Sequence, residues 1–249
     1  MPSTDPHEPP DAPSPADAPP SPGRLATAMG PLTGLRVVVL LVAVAFLAAS
    51  VGWAVGQRPE DPLTGTDVGF LREMGYHHEQ GIELSLILLY KDEVDQGLDA
   101  FAQEIIIGQR FEQGLFNAIL DRFGHDVAVD PDGEVMGWMG RPIAAEQMPG
   151  LASADELQAL EGATGSEAEA LWIALMTEHH LGGLHMADWA ARHGGDRTTV
   201  NLAERVVEIQ RSEVIDLDRY RQRNSLPIPD GFANPMEDQR LNPLSLTES

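Results

Sequence analysis

The sequence predicts an all-α protein, a four-helix bundle made of two duplicated helical hairpins and preceded by one transmembrane helix. Three observations carry this. Apolar residues recur at helical spacing over four long segments, a motif containing a His-His pair occurs twice, and one uncharged apolar run lies near the N-terminus.

Residues 1–34 are rich in Pro, Ala, Ser and Asp. Such a composition buries too little apolar surface to offset the entropy of ordering, so this segment is read as a disordered tail. The run Val37–Val55 carries no charge and, at 1.5 Å rise per residue, nearly spans a ~30 Å hydrocarbon core. It predicts a retained signal anchor over 35–56, with Ala48 and Ala49 leaving cleavage as the alternative. Arg24 and Arg36 before the run, against Arg58 among Glu60 and Asp61 after it, place the N-terminus in the cytoplasm. A linker follows over 57–65, then a bundle domain over 66–226 and an irregular tail over 227–249.

Within the bundle domain, Phe70, Leu71, Met74, His77, His78, Ile82, Leu84, Leu86 and Leu89 set a helix over Asp67–Tyr90. Gly97 interrupts the pattern, and Leu98–Phe123 forms the second helix, closed by Gly124 as a C-terminal cap. The Gly- and Pro-rich stretch His125–Gly150 reads as a long loop. A short helix is expected over Ala154–Glu161. The third long helix runs from Ser166 to Arg192, with Glu169 as capping-box partner, and the fourth from Thr198 to Asn224.

The net charge of −23 repels phosphate backbones, which excludes nucleic acid as a partner, and attracts cations. The same charge serves solubility. The absence of cysteine excludes disulfides, thiolate metal sites and cysteine nucleophiles.

Sliding the chain on itself by about 102 residues sets Met74-Gly75-Tyr76-His77-His78 on Met176-Thr177-Glu178-His179-His180. Nearly the same offset sets Gln109-Arg110-Phe111-Glu112 on Gln210-Arg211-Ser212-Glu213. Each half is a helix bearing Met-x-x-His-His followed by one bearing Gln-Arg-x-Glu, and packing the two hairpins together buries their apolar stripes. Neutral imidazole suits copper, zinc, iron or nickel, and thioether sulfur suits reduced copper. Candidate ligands are therefore His77, His78, His179 and His180, with Met176 and Met186 on the His179 stripe and Glu112 and Glu213 as oxygen donors or as partners that orient an imidazole. Read as packing, the same histidines and methionines are core residues, and the Gln and Glu of the second helices are interhelical hydrogen bonds. Gly81 and Gly183 sit in mid-helix in both halves, where glycine costs ~1 kcal/mol relative to alanine; the repetition of that cost implies a need for space. With thioether and imidazole together, the second pair is expected to be the stronger of two sites, unless pseudo-twofold symmetry brings all four histidines to one.

The two Met-x-x-His-His helices, the Gln-x-x-Glu helices and Met148-Pro149-Gly150 resemble the family known as domain of unknown function 305. The resemblance covers Asp67 to Arg223 and implies a ferritin-like bundle in an exported bacterial protein. Some members are associated with copper or silver binding and tolerance, and no enzymatic activity is established for the family. Carried over by position, the resemblance puts the histidine pairs at His77, His78, His179 and His180, the acidic position after the first pair at Glu83, and its counterpart in the second half at His185, one more ring near the second pair; it implies copper or another transition metal as the bound ion and no catalytic residue. Together with the apolar run and its flanking charges, this gives the expectation of a single-pass protein of the bacterial cell membrane with its C-terminal domain outside, and homo-oligomerisation remains open. This chain has Leu84, Phe116, Leu151 and Leu217 where the family often has Met, which counts against a thioether-rich store and leaves an imidazole and carboxylate site. Two other functions compete with metal handling. One is a di-metal oxidase or ferroxidase, disfavoured because no Glu-x-x-His motif recurs in both halves. The other is a scaffold or interaction module without metal.

Overall fold

The computed structural model describes residues 34–56 and 62–241, and the chain divides into two compact units, Met1–Glu60 and Asp61–Ser249. In the first unit, α1 runs Gly34–Gly56, with Val37 to Leu47 displaying large apolar side chains to their surroundings. Among the described residues no helix is long and apolar enough to cross a membrane, so the expected anchor segment is a helix and its crossing is not shown. The tail expected over 1–34 and much of the linker lie outside the described residues.

The second unit is mostly helical: α2 (Gly65–Leu89), α3 (Gln96–Arg122), α4 (Ala154–Gly162), α5 (Gly165–His193) and α6 (Arg197–Arg223). The helix starts follow from local chemistry. Thr64 and Asp67 form a capping box on α2, and Ser153 and Glu156 form one on α4. Asp95 and Asp196 accept hydrogen bonds from the first backbone N–H groups of α3 and α6, satisfying donors a helix leaves unpaired. The box expected at Ser166 and Glu169 does not form. α5 follows Thr164, which provides no side-chain cap, and the Glu169 carboxylate instead accepts from Asp95 N at 2.7 Å.

That contact has a counterpart. Asp67, fully buried, accepts from Gly195 N and Asp196 N as well as from Thr64. The acid opening the first helix of each hairpin thus ties down the turn of the other hairpin. α2 packs on α3, α5 on α6, and the two hairpins meet mainly through α2 and α5.

Two apolar clusters fill the interior. One contains Phe70, Met74, Phe116, Leu184 and Val206, the other Leu84, Leu88, Ile105, Trp172, Met176 and Leu217. Between them along every long helix lies a polar stretch holding His77, His78, Gln109, Glu112, His179, His180, Gln210 and Glu213.

The segment expected as a featureless loop has structure of its own. A two-stranded antiparallel hairpin pairs β1 (Glu134–Val135) with β2 (Ile143–Ala144) around a 3-10 turn at Gly137–Met139. It is clipped to one face of α2: Glu73 accepts from Met136 N and Trp138 Nε1, His77 bonds the Pro149 carbonyl, and Gln80 exchanges two bonds with Ala152. Gly150, at φ +89°, lies so close to α5 that a Cβ would stand 2.8 Å from the Glu178 and His179 carbonyl oxygens, so only glycine fits both the backbone and the space.

Candidate metal centre

The four paired histidines are fully buried, and they form one cluster. The His77 and His179 rings stack with centroids 3.9 Å apart and planes at 29°. The rings thus meet in one place, the arrangement that the pseudo-twofold alternative expects. On its two flanks His78 Nε2 bonds Glu112 Oε2 and His180 Nε2 bonds Glu213 Oε2, both at 2.7 Å. These four residues hold the same relation in each half.

The stacked rings have fixed tautomers. His77 Nε2–H donates to the Pro149 carbonyl at 3.1 Å and His179 Nε2–H to the His77 carbonyl at 2.9 Å, so each Nδ1 carries a bare lone pair. Among the described residues neither Nδ1 has a partner, nor does His78 Nδ1. Burial, reinforced by the neighbouring His78, pushes the His77 ring down to about 3. Burial, then the charges of His77 and His180, hold His179 well below the ordinary range. Both rings are neutral at physiological pH, the state a metal ligand requires. His180 differs: its Nδ1 faces the Met176 carbonyl at 2.8 Å while its Nε2 faces Glu213.

Two glutamines complete the layer. Gln109 and Gln210 are 5% and 2% exposed, and neither amide atom of either residue has a hydrogen-bond partner among the described residues. Buried polar groups are paired in the great majority of cases, which makes this concentration on the repeated motif the most unusual feature of the interior. Gln109, Glu112, Gln210 and Glu213 also line a cleft of about 80 Å³ between α3 and α6, whose outer wall includes the exposed Phe111 and Ile209.

The other predicted ligands lie elsewhere. His185 is on the exposed face of α5, where desolvation lowers its pKa and its charged neighbours are Asp188, Arg240, Arg141 and Arg192. Glu83 is exposed on α2. Met176 and Met186 are buried in different apolar clusters. Among the described residues no group of three or more His, Asp or Glu side chains is placed to hold a metal ion. The donor set nevertheless fits a transition metal in chemistry: neutral imidazoles, each oriented through its second nitrogen, as metal-binding histidines are. Sequence reasoning missed Asp67, Glu73 and Gln80. Thr64-x-x-Asp67 was a readable capping signal, whereas the partners of Glu73 and Gln80 lie far along the chain.

Fold and site together define a helical domain with a duplicated His-His and Gln-x-x-Glu centre. A family model described as Domain of unknown function (DUF305) matches residues 67–221. The chain belongs to that family. It is similar to a DUF305 protein from Streptomyces coelicolor, at 32% identity and TM-score 0.58 over 66% of this chain and 95% of that one. A DUF305 fragment from Deinococcus radiodurans matches at 24% identity and TM-score 0.56, over 66% of this chain and 99% of the fragment. The structure of CopM in the Cu(I)-bound form matches at 22% identity and TM-score 0.48, over 64% of this chain and 98% of that one. The likeness in fold rests on the first two. No curated protein matches this chain.

Proposed function

We propose that the protein binds and handles a transition metal, copper or another borderline ion, through the central histidine cluster. We further propose that this cluster sits in a ferritin-like four-helix bundle over 66–226, held outside the cytoplasm by α1. The observation that carries the reading is the set of neutral, buried imidazoles whose Nε2–H groups are committed and whose Nδ1 lone pairs are not. The ligands would be His77 and His179, with His78 and His180 beside them and Glu112 and Glu213 orienting those two rings. Copper(II) titration of the full-length chain tests this. Binding should be lost in the H77A/H179A variant, and unchanged affinity there would move the ion to another place, such as the acidic surface.

Membrane attachment rests on the all-round apolar surface of α1, which water disfavours and a bilayer accepts. Recovery of the intact chain from washed membranes is expected; a soluble mature chain beginning near Ser50 would overturn it.

A second reading, a module whose histidines only pack, is favoured by one observation: no three-ligand group stands ready. It predicts no change in stability on adding metal.

A further inference from the structure

The two mid-helix glycines of the repeat and the two unpartnered glutamines explain each other. A Cβ on Gly81 would run into Gln109 Oε1, with Gln109 Nε2 at 2.9 Å and His179 Cε1 at 2.7 Å. A Cβ on Gly183 would run into Gln210 Oε1, with Gln210 Nε2 at 2.9 Å. In both halves the helix thus gives up a side chain, at a cost in helix stability, so that an amide from the facing helix reaches the histidine layer. Were the amides there to join helices, they would be hydrogen-bonded on arrival, yet all four amide atoms are without a partner among the described residues. Both glutamines also line the cleft between α3 and α6, while Gln109 approaches the same Gly81 position as the His179 ring. They stand between the cleft and the imidazoles.

We propose that Gln109 and Gln210 are ligand-contacting residues of the centre, and that a transition-metal cation reaches the histidines through the α3–α6 cleft, past these two amides. An amide offers an oxygen to a cation, or to water the cation carries, without adding charge to a buried layer. Glutamate there would add a buried charge, and an apolar residue would offer nothing. The inference rests on the metal reading above, but it makes a separate demand: groups kept for a ligand are a liability without one.

The test measures melting temperature and copper(II) affinity on the full-length Q109L/Q210L protein, with the single changes Q109L and Q210L alongside. Without metal the variants should melt higher by roughly 2–8 °C, since burying leucine removes unpaired polar atoms. Copper(II) affinity should fall by about tenfold or more. Unchanged affinity in the glutamine variants, with loss of binding in H77A/H179A, would overturn this inference and leave the metal reading standing. Lower stability of the metal-free variants, up to failure of both single variants to fold, would assign the amides to packing and overturn it as well. No copper(II) binding by the unaltered chain would overturn both.

Discussion

The two halves of the domain agree closely at the centre and part company at its edge. His78 with Glu112 and His180 with Glu213 make the same bond at the same length, and Asp67 and Glu169 brace the opposite hairpin in corresponding ways. The stacked rings do not match. By symmetry the His77 N–H would meet the His179 carbonyl, as the His179 N–H meets that of His77. It bonds the Pro149 carbonyl instead, because Gly150 has already packed against the His179 carbonyl. The segment joining the halves covers one side of the duplicated core. The duplication sets the chemistry of the layer, while the connection decides which carbonyl each stacked ring bonds.

If the centre is shared, the largest effect to look for is equality. H77A/H78A and H179A/H180A should lose copper(II) affinity by the same factor, more than about 100-fold each, in calorimetry on protein shown to be folded by circular dichroism. A markedly larger loss in one variant would restore two unequal sites.

The cross-braces should be unequal in strength, since Asp67 serves several donors and Glu169 has one backbone donor. Asp67→Asn turns an acceptor oxygen into a donor facing other donors and should lower stability by about 2–3 kcal/mol, against ~1 kcal/mol for Glu169→Gln. Urea midpoints with unchanged slopes would measure both. Equal losses would mean the two braces are energetically alike despite their different donors.

Acid should act on both stacked rings alike. Their folded pKa values are depressed, so below the unfolded value of about 6.5 the unfolded chain binds more protons than the folded one. Stability is therefore present above pH 6.5 and is lost as pH falls toward the folded value, about 3 for His77. Each ring contributes up to ~1.4 kcal/mol per pH unit. Melting curves from pH 7 to 5 should show this slope reduced by similar amounts in H77Q and H179Q. A slope unaffected by either change would mean the rings are not buried in neutral form.

How far the sequence could lead depended on the distance over which each decision is made. Helices were legible because 3.6-residue periodicity is local, and the His-His and Gln-x-x-Glu repeat located the polar layer. Assigning Met176 and Met186 to one site overlooked axial rise: ten residues of helix advance ~15 Å, enough to put them in separate clusters. His185 was carried over by position from the family resemblance, yet five residues beyond His180 is about 140° around the helix, away from the layer. The Ser166 and Glu169 capping box fitted local statistics, and a distant backbone donor at Asp95 took the carboxylate instead.

The smallest effect concerns the joining segment, where the halves differ most. Gln80 holds Ala152 through both amide atoms, accepting from its N–H at 2.5 Å and donating to its carbonyl at 2.8 Å, and the matching position of α5 is Gly182, which holds nothing by a side chain. Gln80→Ala leaves Ala152 N–H and C=O near enough to the surface to find water, so the loss should be only about 1 kcal/mol. Its distribution matters more than its size. Hydrogen exchange should quicken over residues 136–152, which Glu73 and His77 still hold at two other points, while the α5–α6 hairpin keeps its protection. Faster exchange confined to that segment would show that the cover opens independently of the helices. Equal acceleration in α5 and α6 would show instead that the joining segment and the second hairpin unfold as one unit, and the contrast between a symmetric centre and an asymmetric cover would then be structural only.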